Sequence, residues 1–308
     1  MEAFGVEALT MERIMVLDGK YINKMKKLIV LVATLFFVVG VFAQKKTPFV
    51  LYDSKGKKVS YKKMIRVLAQ NDMVLFGEYH NNAIAHWLQL SVTKDLFEKR
   101  KLTLGAEMFE SDNQTPLNNY LQGKINAKQF DSSARLWKNY PTDYAPLVNF
   151  AKEKNIPFTA TNIPRKYASL VSKKGFTAFD SLTAQEKSLI APLPMAYDPE
   201  LPGYKNMIAM MGGHGGENLP KAQASKDATM AHFILTTQLP GSLFIHYNGS
   251  YHSENYEGIG WYLAKSNPLL KIKTITTVSQ KNIHKLAAEN QNKAHYIICV
   301  DSDMTNTY

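Results

Sequence analysis

The sequence predicts an α/β fold with a largely parallel central sheet flanked by helices. Three observations predict it. Short apolar runs of strand length alternate with longer stretches of helical period from about residue 70 onward. Strands separated by helices favour parallel pairing, because the crossover returns the chain to the same end of the sheet. The composition is globular, with 45% hydrophobic and 20% charged residues, which excludes a disordered or low-complexity chain. No repeat of fixed period and no Gly/Ser-rich linker divides the chain, so one domain is expected over residues 44–308.

The first buried strand is predicted at residues 73–76 (MVLF). A helix over 83–100 follows, turning Ile84, Trp87, Leu88, Leu90, Val92, Leu96 and Phe97 inward. A strand at 102–108 (LTLGAEM) leads to helices around 115–121, 127–137 and 144–154, then to a strand at 156–161. Pro164 suits the first turn of a helix reaching about residue 174, and Thr183 with Glu186 resembles a capping box opening a short helix. Residues 192–221 differ in composition, with five prolines and Met207, Met210 and Met211. They read as a long loop or flap carrying one short helix at 204–211. A helix over 223–238, a strand at 242–247 (SLFIHY), a helix over 256–265 and strands at 271–278 and 295–300 complete the fold.

Ahead of the domain, residues 28–43 form an uninterrupted apolar run of 16, preceded by Lys24, Lys26 and Lys27. A positive n-region, an apolar h-region and small residues before Gln44 predict a Sec signal peptide cleaved after Ala43. The run is shorter than the roughly 20 residues a spanning helix needs. Met25-Lys26-Lys27 reads as a natural start, which makes residues 1–24 an upstream extension. The expected location is therefore the periplasm or the outer-membrane surface. Cys299 is the only cysteine, which excludes an intramolecular disulfide and a thiolate zinc knuckle. With no cysteine near residue 43, a bacterial lipid anchor there is excluded as well. The 37 Lys+Arg against 26 Asp+Glu give a net charge of +11 and favour anionic partners. Export and the lack of a recognition motif argue against nucleic acid.

In such sheets ligands gather outside the carboxyl ends of the strands. One predicted strand ends in Gly77-Glu78-Tyr79-His80, another contains Glu107, and a third runs into Gly249-Ser250-Tyr251-His252. Glu78, His80, Glu107 and His252 on one edge are types that hold a divalent metal with its bound water, or that act as an acid/base set. The structural alternative is that both glutamates cap helix N-termini and both histidines bond loop backbone. The H-E-x-x-H spacing of a zinc hydrolase is absent. His86 and His232 read as structural or exposed, His246 as a hydrogen-bonded core residue, and Ser250 lacks the G-x-S-x-G of a nucleophile elbow.

These strand ends, with Asn162-Ile163-Pro164-Arg165, Gln223, Asp227 and Thr229-Met230-Ala231 in order, resemble the ChaN family of haem-binding uptake proteins. The resemblance covers roughly residues 70–265. It implies an α/β fold shared with the Tiki, TraB and erythromycin-esterase group. In that group, positions matching Glu78, His80, Glu107 and His252 line the site, serving metal-dependent proteolysis in Tiki-like members and water activation in the esterases. ChaN-like members are described as haem binders in iron uptake, with tyrosine ligation and two subunits paired over the haems. Familiar members carry a lipobox cysteine, which this chain lacks.

Haem iron takes Tyr, His, Met or Cys as axial ligand. The flap offers Tyr197, Tyr204, Met207, Met210, Met211 and His214, with Tyr204 or His214 expected to reach the iron and Lys205 to meet a propionate. Arg165 is expected either to bind a carboxylate or to pair with a buried acid. The alternative for the flap is a Met-rich turn packed on the core. Two functions follow as expectations: a haem-binding protein working with outer-membrane uptake machinery, or a metal-dependent hydrolase built on the Glu/His edge.

Overall fold

The computed structural model describes residues 21–27, 46–210 and 216–308. The predicted signal segment, Met211 and His214 lie outside the described residues. The chain divides into Met1–Thr47 and Pro48–Tyr308. In the first unit residues 21–27 are helical. Among the described residues no helix is long and apolar enough to cross a membrane.

The second unit is built on one seven-stranded sheet. Its strands are β1 (Phe49–Asp53), β2 (Met73–Glu78), β3 (Leu102–Glu110), β4 (Phe158–Asn162), β5 (Leu243–Gly249), β6 (Ile272–Gln280) and β7 (Tyr296–Asp301), in the spatial order β1-β7-β6-β2-β5-β3-β4. Every neighbouring pair is parallel except β1 with β7. β2 and β5 are buried along their whole length, which is why they read as continuous apolar runs. Side chains alternate between two cores. Val74, Phe76, Leu104, Ala106, Ile245 and Tyr247 pack on one face, against α1 (Tyr61–Leu68), α2 (Ala83–Phe97) and α4 (Ala145–Glu153). Met73, Leu75 and Phe244 pack on the other, against α7 (Asn218–Thr237) and α8 (Ile259–Ser266). α3 (Gln114–Leu121) adds Leu117 to the first core, while α5 (Arg165–Lys174) and α6 (Pro202–Met210) pack on α7.

Several elements depart from expectation for local reasons. β1 and α1 precede the predicted elements: α1 buries a single stripe of Met64, Ile65 and Leu68, and β1 is placed by its antiparallel pairing with β7. The helix opening at Ala127 stops at Ser133, because Ala134 is extended and Arg135 turns to Glu110 and Asp112. A π-turn at Tyr140–Tyr144 then leads into α4. On α2, Trp87 is 55% exposed, while the buried stripe is Ala85, His86, Leu88, Gln89, Val92, Thr93 and Leu96. Helical phase therefore sets polar residues inward, and the reason lies in the site. The Thr183–Glu186 capping box forms as its spacing predicts.

Candidate functional site

β2 and β3 flank β5, so their carboxyl ends lie side by side; Glu78 is in register with Gly249, and Ala106 with Tyr247. Strand alternation sends the two carboxylates to opposite faces. Glu78, in phase with Phe76, meets α2, whereas Glu107, out of phase with Ala106 and Met108, meets the layer of α7.

On the first face, Glu78 is buried. Its Oε1 accepts from the Tyr144 hydroxyl at 2.6 Å and lies 2.8 Å from His80 Nδ1. Its Oε2 accepts from Gln89 Nε2 at 2.5 Å and lies 3.5 Å from His86 Nδ1. Burial and the nearby Glu78 charge push the Tyr144 phenol well above the usual tyrosine range. His86 Nε2 meets the backbone carbonyl of His80 at 3.0 Å and lies 3.4 Å from Asp143 Oδ2. Asn139 donates to that same carbonyl and to Asp143, and Thr307 donates to Asp143 at 2.7 Å. Asn82 fixes the phase of this layer. Its side chain accepts from the Ala85 backbone N–H at 2.9 Å and caps α2, so His86, Gln89 and Thr93 follow on one stripe.

On the second face, His252 is held between two buried carboxylates. Its Nδ1 lies 2.5 Å from Asp227 Oδ1 and its Nε2 3.2 Å from Glu107 Oε1. Burial opposes charge on this ring, yet the adjacent Glu107 and Asp227 outweigh it and raise the imidazolium to about 9. Glu107 also accepts the Gly249 backbone N–H at 2.7 Å. Despite its burial, the facing His252 and His80 and that N–H hold its carboxyl well below the usual carboxylate range. Burial raises Asp227 instead, against the pull of His252. Tyr204 of α6 donates to Asp227 Oδ2 at 3.0 Å.

His80 joins the two faces. A Cβ on Gly249 would lie 2.9 Å from His80 Cε1 and Nε2 and 3.5 Å from Glu107 Oε2, so the ring rests over backbone that only glycine leaves open. Burial disfavours its charge, but the bond to Glu78 and the charges of Glu107 and Glu78 raise its pKa. Trp137 packs edge-on against it with centroids 4.8 Å apart. The His80 side chain keeps 36% exposure against 7% for His252. Among the four edge residues, His80 is therefore the one placed to exchange a proton with solvent or a ligand. The result is a file of alternating acids and imidazoles, Tyr144–Glu78–His80 and Glu107–His252–Asp227–Tyr204, meeting where His80 approaches Gly249.

The structure thus brings Glu78, His80, Glu107 and His252 together. Among the described residues no group of three or more His, Cys, Asp or Glu converges in metal-holding geometry. Both His252 nitrogens face carboxylates, so no lone pair is free for a divalent ion. As arranged, these residues do not fit a metal centre. Tyr204 is only 4% exposed and stacks on Tyr197, with centroids 5.7 Å apart. Arg165 opens α5 and is exposed, on the wall of a neighbouring cleft. His246 is a buried core residue, 2.7 Å from the Thr161 hydroxyl and lowered to about 4 by burial. His86, expected to be structural or exposed, is buried beside Glu78. With it, Gln89, Asn139, Asp143 and Tyr144 escaped the sequence-based site. Only His86 and Gln89 had a legible signal, the 82/86/89/93 spacing that puts Asn82, His86, Gln89 and Thr93 on one stripe of α2.

The description "haem-binding uptake, Tiki superfamily, ChaN" matches residues 64–263. The chain belongs to the ChaN family. The matched span holds every member of the acid–imidazole file. Among solved structures, ChaN of Campylobacter jejuni, described with cofacial haem binding, is 18% identical with a TM-score of 0.62. That match covers 82% of this chain and 97% of the other. A Bacillus cereus protein is 12% identical with a TM-score of 0.48, covering 78% and 90% of the two chains. Erythromycin esterase EreC in its open conformation is 9% identical with a TM-score of 0.46, covering 74% and 77%. No curated protein matches the chain.

Proposed function

We propose that this ChaN-family chain is an exported haem-binding protein of haem and iron uptake, with haem as its cargo. The observation that carries the proposal is the family match across residues 64–263. The donor chemistry near the edge suits ferric haem. Tyr204 is a phenol whose proton already points at Asp227 Oδ2, so the carboxylate is placed to receive it when the oxygen turns to iron. Met207 is half-buried and Ile208 exposed along α6, leaving apolar surface beside the phenol. Tyr204 must first leave Asp227. That requires α6 to release the Gly203 N–H from Glu257, 2.7 Å apart, and the Gly203 carbonyl from the Tyr251 hydroxyl. A homodimer over the haems and delivery to outer-membrane machinery complete this reading. The test is a haemin titration of the full chain followed in the visible region. A saturable, shifted Soret band that changes form in Tyr204→Phe supports it, and no specific spectrum overturns it.

A second reading, hydrolysis, is favoured by one observation: the acid–imidazole file ends in the accessible ring of His80 at the carboxyl edge of the sheet. Here Glu78 orients His80, and His80 moves a proton to or from a bound water or leaving group. Ester or peptide cleavage lost in Glu78→Gln while folding persists would support it.

A further inference from the structure

The outer strands of the sheet, β1 and β4, are each closed from within the chain, and the two closures differ in kind. Along β1 the backbone of residues 57–59 folds back: Val59 N–H donates to the Leu51 carbonyl at 2.9 Å, and Asp53 N–H to the Lys57 carbonyl at 2.9 Å. Along β4 a single side chain takes that place. The Pro157 carbonyl accepts from Leu104 N–H and so faces β3, which turns the next carbonyl, that of Phe158, outward. Gln114, the first residue of α3, donates from Nε2 to the Phe158 carbonyl at 3.0 Å and accepts the Ala160 N–H on Oε1 at 2.7 Å. A carboxamide carries the donor and the acceptor of a peptide group. Gln114 therefore makes the two bonds that one residue of an eighth, parallel strand would make. Asn118 Oδ1 accepts from the same Nε2 at 2.8 Å and fixes the orientation of the amide.

The surroundings of this edge are as distinctive as its closure. A groove of about 580 Å³ runs between α3 and β4, with Phe233 and Thr237 of α7 on its wall, and none of its lining residues is charged. Sheet edges are ordinarily guarded by charged side chains. On a chain of net charge +11, an uncharged strip is also where two copies meet least repulsion. A second copy turned about a two-fold axis presents the same strand antiparallel, and it needs the Phe158 carbonyl and Ala160 N–H that Gln114 holds. We propose that the β4 edge is a latent pairing surface for a second copy of this chain, kept shut by the Gln114 side chain. The pairing requires no haem and uses none of the residues of the acid–imidazole file.

The test is self-association of the haem-free full chain by sedimentation velocity, with hydrogen exchange at the Ala160 amide as the local readout. In the native chain that amide should exchange slowly at every concentration, because Gln114 holds it. Gln114→Ala should associate about tenfold or more tightly than the native chain, the scale of one or two recovered hydrogen bonds. Alanine suits a helix, so the variant keeps α3. Its Ala160 amide should exchange faster at low concentration and regain protection as the concentration rises. Gln114→Glu keeps an acceptor for the Ala160 N–H and adds a like charge to both copies, so it should associate no more than the native chain. Three results would each overturn the proposal: no added association in Gln114→Ala, association that leaves Ala160 unprotected, or association of Gln114→Glu as tight as that of Gln114→Ala. The native readout needs no variant: slow exchange at Ala160 supports the closure, and fast exchange overturns it.

Discussion

His252 and Asp227 form the tightest imidazole–carboxylate contact of the site, Nδ1 to Oδ1 at 2.5 Å, while the other nitrogen of the same ring faces Glu107. A histidine between two carboxylates carries both protons, so His252 is a buried cation matched to buried anions. This explains why a residue in a GxxH element, well placed for a ligand by spacing, acts as a brace between β3 and α7.

The clamp fixes a pH dependence. His252 is raised to about 9 in the folded chain, against roughly 6.5 for a free imidazole. A raised folded value means that its stabilisation is complete below about 6.5 and is lost as pH climbs through about 9. At ~1.4 kcal/mol per unit the difference corresponds to about 3 kcal/mol, as an order of magnitude. Melting temperatures across pH 6–10 should fall in the native chain and stay flatter in His252→Gln. Parallel curves for the two proteins would refute the clamp.

Removing one anion should cost more than removing its charge alone. In Asp227→Asn, His252 keeps only Glu107, and Tyr204 loses a charged acceptor for a neutral one. Breaking a buried pair from one side typically costs roughly 3–5 kcal/mol. Chemical denaturation should show a loss of that order for Asp227→Asn and Glu107→Gln. The double variant should lose less than the sum, because both act through the same ring. Additive losses would mean that the two carboxylates are independent.

The fold was legible because its signals are local. Apolar runs such as MVLF and SLFIHY are buried on both faces of the sheet and appear in the sequence as uninterrupted hydrophobicity. Glu78, His80 and His252 were legible because glycines mark the ends of β2 and β5, and Glu107 because it is a carboxylate inside an apolar strand. What could not be read were partnerships made across layers. Asp143, Tyr144 and Thr307 reach Glu78 or its neighbours from a π-turn and from residues far along the chain, with no spacing that advertises it. Trp87 was expected inward because an apolar count favours tryptophan there, but the N-cap at Asn82 turns the polar stripe with His86 to the sheet and leaves Trp87 exposed. Tyr204 was picked for its chemistry, but its bond to Asp227 depends on how α6 docks.

Glycine at 249 is a steric requirement of the site. A methyl there would stand 2.9 Å from the His80 ring, closer than a Cβ contact allows. Gly249→Ala should therefore displace His80 from Glu78 and cost about 1–3 kcal/mol through overpacking. The imidazole resonance of His80 should move toward its free titration while that of His252 stays raised. An unchanged His80 titration would show that the ring is held elsewhere.

The last prediction concerns Thr307, which lies beyond the family-matched span of residues 64–263 yet completes its polar layer. Its hydroxyl donates to Asp143 Oδ2 at 2.7 Å, and its backbone N–H reaches the Asn81 carbonyl at 2.9 Å beside the cap of α2. Asp143 Oδ2 in turn faces His86, which lies against Glu78. Thr307→Val keeps the shape and the backbone bond but withdraws one donor from a buried carboxylate. The expected cost is about 0.5–1.5 kcal/mol, read by denaturation. Because the layer is continuous from Asp143 through His86 to Glu78, the His80 titration should shift as well. In Thr307→Ser, which restores the donor, that shift should revert. A stability loss with an unmoved His80 would assign Thr307 to packing alone.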